Sequence, residues 1–111
     1  MRVSDDRQQP CTVVVTVDAN VDVLEELLEH AQLGLRRFPE CDGFVSGALH
    51  ISADRTRMIQ YLQWESEAAY INCRDDSRWD EFESTRRFAD HISAGRATLD
   101  ARTYSVVAHS G

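Results

Sequence analysis

Gln60-Tyr61-Leu62-Gln63-Trp64-Glu65-Ser66-Glu67-Ala68-Ala69-Tyr70 decides how this chain is read. It runs as a strand straight into a helix, with a Trp at the strand end and a Tyr one helical turn later. Side chains alternate across a strand, so Met58, Gln60, Leu62 and Trp64 share one face, and Ile59, Tyr61 and Gln63 share the other. A helix beginning at Ser66 turns Tyr70 back towards that junction. If the even-numbered set faces the helices, a carboxamide, an indole N–H and a phenol converge in an otherwise apolar interior. Such a composition suits a flat, mostly apolar ligand carrying a few oxygens. It equally suits a core in which the aromatics bond backbone groups through their polar tips. Residue types alone leave both readings open, although a carboxamide at Gln60 is costly to bury without a partner.

Working outward, residues 11–17 form a β-branched run with Val13, Val15 and Val17 on one face. Asn20 is a helix N-cap, followed by Asp22, Glu25 and Glu26 in the first turn. Leu24, Leu27, Leu28, Ala31, Leu35 and Phe38 then recur at helical spacing until Pro39. Asp42-Gly43 opens a turn into a second strand over 44–51. A short connection at 53–56 leads into the third strand, 57–64, so these two strands form a hairpin. After the short helix from Ser66 to Cys73, Ser77-Arg78-Trp79-Asp80 resembles a capping box. It opens a helix bearing Trp79, Phe82, Phe88 and Ile92 that ends at Gly95. A fourth strand is expected over 103–108.

The order β-α-β-β-α-β, with short connections, predicts an α+β fold. It is the ferredoxin-like split unit, a four-stranded antiparallel sheet with the helices on one face. Residues 1–10 read as a flexible tail and 11–111 as a single domain. The other sheet face would carry Val14, Phe44, Ala48, Ile59, Tyr61 and Val107, enough apolar surface to imply a homodimer.

Bulk properties bound the function. The chain has 111 residues, 42% of them apolar, enough for one modest core. A net charge of −7 repels a phosphate backbone and argues against nucleic acid as partner. No apolar run can span a bilayer and the N-terminus lacks a signal-like segment, so a cytoplasmic protein is expected, with no membrane partner. Cys11, Cys41 and Cys73 are odd in number and widely spaced, which predicts reduced thiols. The four histidines show no metal-ligand spacing, and His50 is out of phase with Leu49 and Ile51. There is no Gly-rich phosphate loop and no serine nucleophile elbow. Arg86 lies four residues beyond Phe82 on the presumed inner stripe of the last helix, and Arg87 beside it reads as solvated.

The run Met58-Ile-Gln-Tyr-Leu-Gln-Trp64-Glu-Ser-Glu-Ala-Ala-Tyr70, preceded by Asp42-Gly-Phe-Val-Ser-Gly-Ala-Leu-His50, resembles the antibiotic biosynthesis monooxygenase family. It is most similar to the small anthrone oxygenases of aromatic polyketide pathways. The resemblance implies a dimeric α+β barrel that oxidises a polycyclic phenolic or anthrone-like substrate to a quinone. Dioxygen is then the co-substrate, with no metal, flavin or other cofactor. It further implies catalytic roles for Trp64, Tyr70, Gln60 and Arg86, with Leu49, Leu62, Phe82 and Arg87 binding substrate. Gln60 stands where relatives commonly have Asn, and Leu49 where a Tyr occurs. Those departures keep two alternatives open on the same barrel, a non-catalytic ligand-binding or assembly protein and a polyketide cyclase-type tailoring enzyme. The haem-degrading branch of the superfamily adds an Asn on the first strand, and residues 11–17 contain none.

Overall fold

The structure, a computed structural model, describes residues 10–77, 79, 83–108 and 110. Its elements are β1 (Cys11–Ala19), α1 (Val21–Arg37), a short 3-10 turn at Phe38–Glu40, β2 (Phe44–Ile51), β3 (Arg57–Trp64), α2 (Glu67–Arg74), α3 (Glu83–Ser93) and β4 (Ala97–Ser105). The sheet order is β2-β3-β1-β4, with every neighbouring pair antiparallel. This is the expected α+β, ferredoxin-like architecture, and the helices pack on one face.

Local chemistry sets each boundary. The Asn20 side chain accepts a hydrogen bond from the Val23 N–H, 3.0 Å, and so caps α1. Ser66 does the same for α2 through the Ala69 N–H, 3.1 Å. At Gly43 the backbone takes φ 87°, and a Cβ there would stand 2.5 Å from the Ala69 Cβ, so only glycine fits the turn into β2. The Gly43 carbonyl accepts from the Glu65 N–H, 2.8 Å, and ties that turn to the β3–α2 junction.

Two buried clusters lie between sheet and helices. Val17, Leu24, Leu27, Ala31, Met58 and Ala97 form one under α1 and α3. Cys11, Val13, Leu62, Trp64 and Cys73 form the other, towards α2. Register places Val14, Tyr61 and Ala48 side by side on the opposite face, where Tyr61 is 42% exposed.

Four expectations need correction. Phe44 is not on the open face: a bulge between Phe44 and Ser46 shifts the alternation and turns it towards the helices, against Phe38 and Trp64. The last strand begins at Ala97 and ends at Ser105, because the chain leaves the positive-φ turn at Gly95 directly into pairing with Ala19. Val107 lies beyond it, 95% exposed. Finally, the cysteines are not all thiols. Cys41, after the turn that ends α1, and Cys73, near the end of α2, are joined in a disulfide with Cα atoms 5.8 Å apart. Their 32-residue separation carries no spacing signal, and only folding brings them together. Cys11 stays a buried thiol whose pKa is raised by desolvation and by Glu67. The proposed helix start at 77–80 falls partly outside the described residues. No described helix is long and apolar enough to cross a membrane.

Candidate functional site

Trp64 is 1% exposed and stands at the centre of an aromatic group. Its ring centroid is 5.2 Å from Phe44, 5.9 Å from Phe38 and 5.9 Å from Tyr70. Edge and tilted geometries of this kind are the favoured ones for aromatic pairs. Yet the same indole lines a cavity of about 250 Å³ that opens between the sheet and all three helices. Trp64 is therefore both core and wall. Its Nε1–H is buried and has no hydrogen-bond partner among the described residues. Leaving such a donor unpaired costs about 1–3 kcal/mol.

The cavity is mainly apolar, walled by residues such as Val15, Met58, Leu62 and Phe88. Polar groups reach it from several elements. β3 supplies Gln60 beside Trp64, as the strand alternation requires, and α2 supplies Tyr70 and Arg74. The Arg74 guanidinium lies 5.7 Å from the Tyr70 ring centroid and is held charged by Asp75, with a bond at 3.0 Å. From α3 comes Thr85, whose buried Oγ1 also lacks a partner among the described residues. α1 contributes His30, half-buried, with its ring 5.1 Å from Phe88. Desolvation lowers the pKa of that imidazole and favours its neutral form.

Of the residues singled out in the sequence, Gln60, Leu62, Trp64 and Tyr70 come together on this cavity. Leu49 does not line it. It faces the helix layer from the outer strand β2 and packs against the cluster around Val17 and Met58. Arg86 and Arg87 are both exposed, contrary to the expectation for Arg86. Thr85 and Phe88, one residue before and two after Arg86, are the α3 side chains that reach the cavity, so helical rotation carries Arg86 outward. Arg87 pairs with Glu26 on α1, which also bonds His91. Phe82 lies outside the described residues. Sequence reasoning missed His30, Thr85 and Trp79. The Trp79 Nε1–H donates to the Cys73 carbonyl, 2.7 Å, and its ring closes the wall near Phe38.

No family model matches the chain, and no curated protein does. Solved structures do share its fold. One is a provisionally assigned antibiotic biosynthesis monooxygenase from Nitrosomonas europaea, with 15% identity over 94% of this chain and 96% of that one, TM-score 0.66. Another, likewise provisionally assigned, is from Deinococcus radiodurans, with 11% identity over 91% and 96%, TM-score 0.68. A dimeric ferredoxin-like protein from an uncultured marine organism aligns at 17% identity over 92% and 99%, TM-score 0.66. At these identities the likeness is one of fold.

Proposed function

We propose that the chain is a cofactor-independent monooxygenase that oxidises a compact polycyclic phenol of the anthrone type to a quinone, working as a homodimer. The observation that carries this reading is an apolar cavity lined jointly by Trp64, Gln60 and Tyr70, with the buried indole N–H of Trp64 unpartnered among the described residues. A volume of about 250 Å³ is slightly below the usual range for ligand sites and suits a compact ring system. The fold shared with provisionally assigned monooxygenases gives further support.

In this reading the substrate is its own reductant. Removing a proton from the benzylic carbon of an anthrone leaves a delocalised carbanion with its charge largely on oxygen. One electron passes to dioxygen, the two radicals combine into a peroxide at that carbon, and loss of water gives the quinone. One substrate and one dioxygen thus yield one quinone and one water. The protein holds the ring system in a dry space and offers N–H donors to the developing oxyanion. Trp64 and the Gln60 amide serve as those donors, and Tyr70 gives a proton to the peroxide.

Oxygen uptake with dithranol, in protein stripped of metal and flavin, tests the reading. The wild type is expected to exceed the spontaneous rate, and Trp64→Phe to lose about 10–100-fold through one hydrogen bond to a charged oxygen. Tyr70→Phe should slow peroxide breakdown. A wild type that never exceeds background with several anthrones overturns the oxygenase. The outward position of Arg86 and Arg87 favours one second reading, a ligand-binding protein without turnover. It would show quenching of Trp fluorescence by the quinone and no oxygen uptake.

A further inference from the structure

We infer that His30 is the base that takes the substrate's first proton, and that it passes that proton outward along α1. The inference rests on the oxygenase reading above and names the proton acceptor which that reading requires. Its basis is position. His30 lines the cavity between sheet and helices, with Trp64, Gln60 and Tyr70 on the other walls. His30 also lines a small second groove of about 80 Å³, together with Glu26, Glu29 and Arg87. His30 thus stands between an apolar cavity and a groove that carries charged side chains. Room beside it comes from Gly34, one helical turn on, which also lines the cavity and would have no atom of the described residues within 4 Å of an added Cβ.

The chemistry follows from the surroundings. A general base works best when its pKa lies near the operating pH and it is unprotonated there. Burial lowers the imidazole pKa and so favours its neutral form, the form that accepts a proton. Among the described residues, the charged and titratable side chains that share its two spaces are Glu26 and Glu29 on α1, Arg87 on α3, and Tyr70 and Arg74 on α2. Strands β1 and β3 present only apolar or neutral side chains to this cavity, among them Val15, Met58 and Gln60. In the step, the substrate C–H bond breaks and its electron pair stays in the ring system as the anion. The proton moves to a ring nitrogen of His30, and the resulting imidazolium shares the second groove with Glu29 and with Glu26, which already pairs with Arg87 and His91. Loss of the proton to solvent there resets the base. Tyr70, on the opposite wall, keeps its role as proton donor to the peroxide.

Anaerobic stopped-flow absorbance separates this step from oxidation. Without oxygen, dithranol bound to wild type should form its coloured anion, with a rate that falls on the acid side of the ordinary imidazole range. His30→Gln is expected to slow anion formation about 100-fold or more and to lose that acid limb, with partial rescue by added imidazole. Its affinity for the quinone product should stay within about threefold of wild type if the cavity is intact. In wild type itself, the His30 ring NMR signal should shift when the quinone is added. Equal anion rates and pH profiles in wild type and His30→Gln, or a His30 signal unmoved by quinone, would overturn the inference. Anion formation without oxygen uptake would instead leave His30 standing and remove the oxygenase.

Discussion

At the scale of single residues, His30 and Trp64 show why half of the cavity could be read from the sequence and half could not. Burial lowers the His30 pKa, so between that folded value and the unfolded one near 6.5 the unfolded chain binds more protons. Stability should therefore rise with pH through this window. The contribution is present in full above the unfolded value and is lost as pH falls through the folded one. Urea midpoints measured at about pH 5 and about pH 7.5 should differ less in His30→Gln than in wild type. Equal differences would show that His30 is not desolvated. Gln60, Leu62 and Trp64 were legible because a strand alternates strictly and one strong residue fixes the phase of the rest. His30 was not, because it sits between Leu27 and Ala31 on a helix where any position near the stripe can point to core or edge. Its place on the cavity, beside Gly34, is what makes it a wall.

Elements were read better than the joints between them. The order of strands and helices, the caps Asn20 and Ser66, and the 44–51 and 57–64 hairpin all follow from local signals. Bulges and cross-links do not. The shift at Phe44 depends on how β2 meets β3, and the Cys41–Cys73 bond depends on where two distant turns finish. That bond pins the entry to β2 against the end of α2, directly behind Tyr70 and Trp64. Closing a loop of 32 residues of sequence separation restricts the unfolded chain. The double change Cys41→Ser, Cys73→Ser should cost about 2–4 kcal/mol in urea unfolding. An unchanged midpoint would mean that the bond constrains nothing the rest of the fold does not already hold.

For the molecule as a whole, the sheet is covered on one side and open on the other. Val14, Ala48, Ile59 and Tyr61 lie on the open side, only partly buried or exposed. A homodimer joined through this face should elute at twice the chain mass, and Tyr61→Asp should shift it to monomer, since a charge at the centre of an apolar contact is costly to desolvate. A monomeric wild type would remove the dimer from the proposal. The arrangement of strands has one more consequence, for how the molecule is made. β1, which leaves the ribosome before the other three strands, is an interior strand, and it pairs on one side with β4, the last of the four. Translation at about 5–20 residues per second leaves that valine-rich segment waiting several seconds for its final partner. Nascent chains should thus be most prone to stick to one another, or to call on chaperones, just before β4 emerges, and slower, cooler expression should favour the folded product.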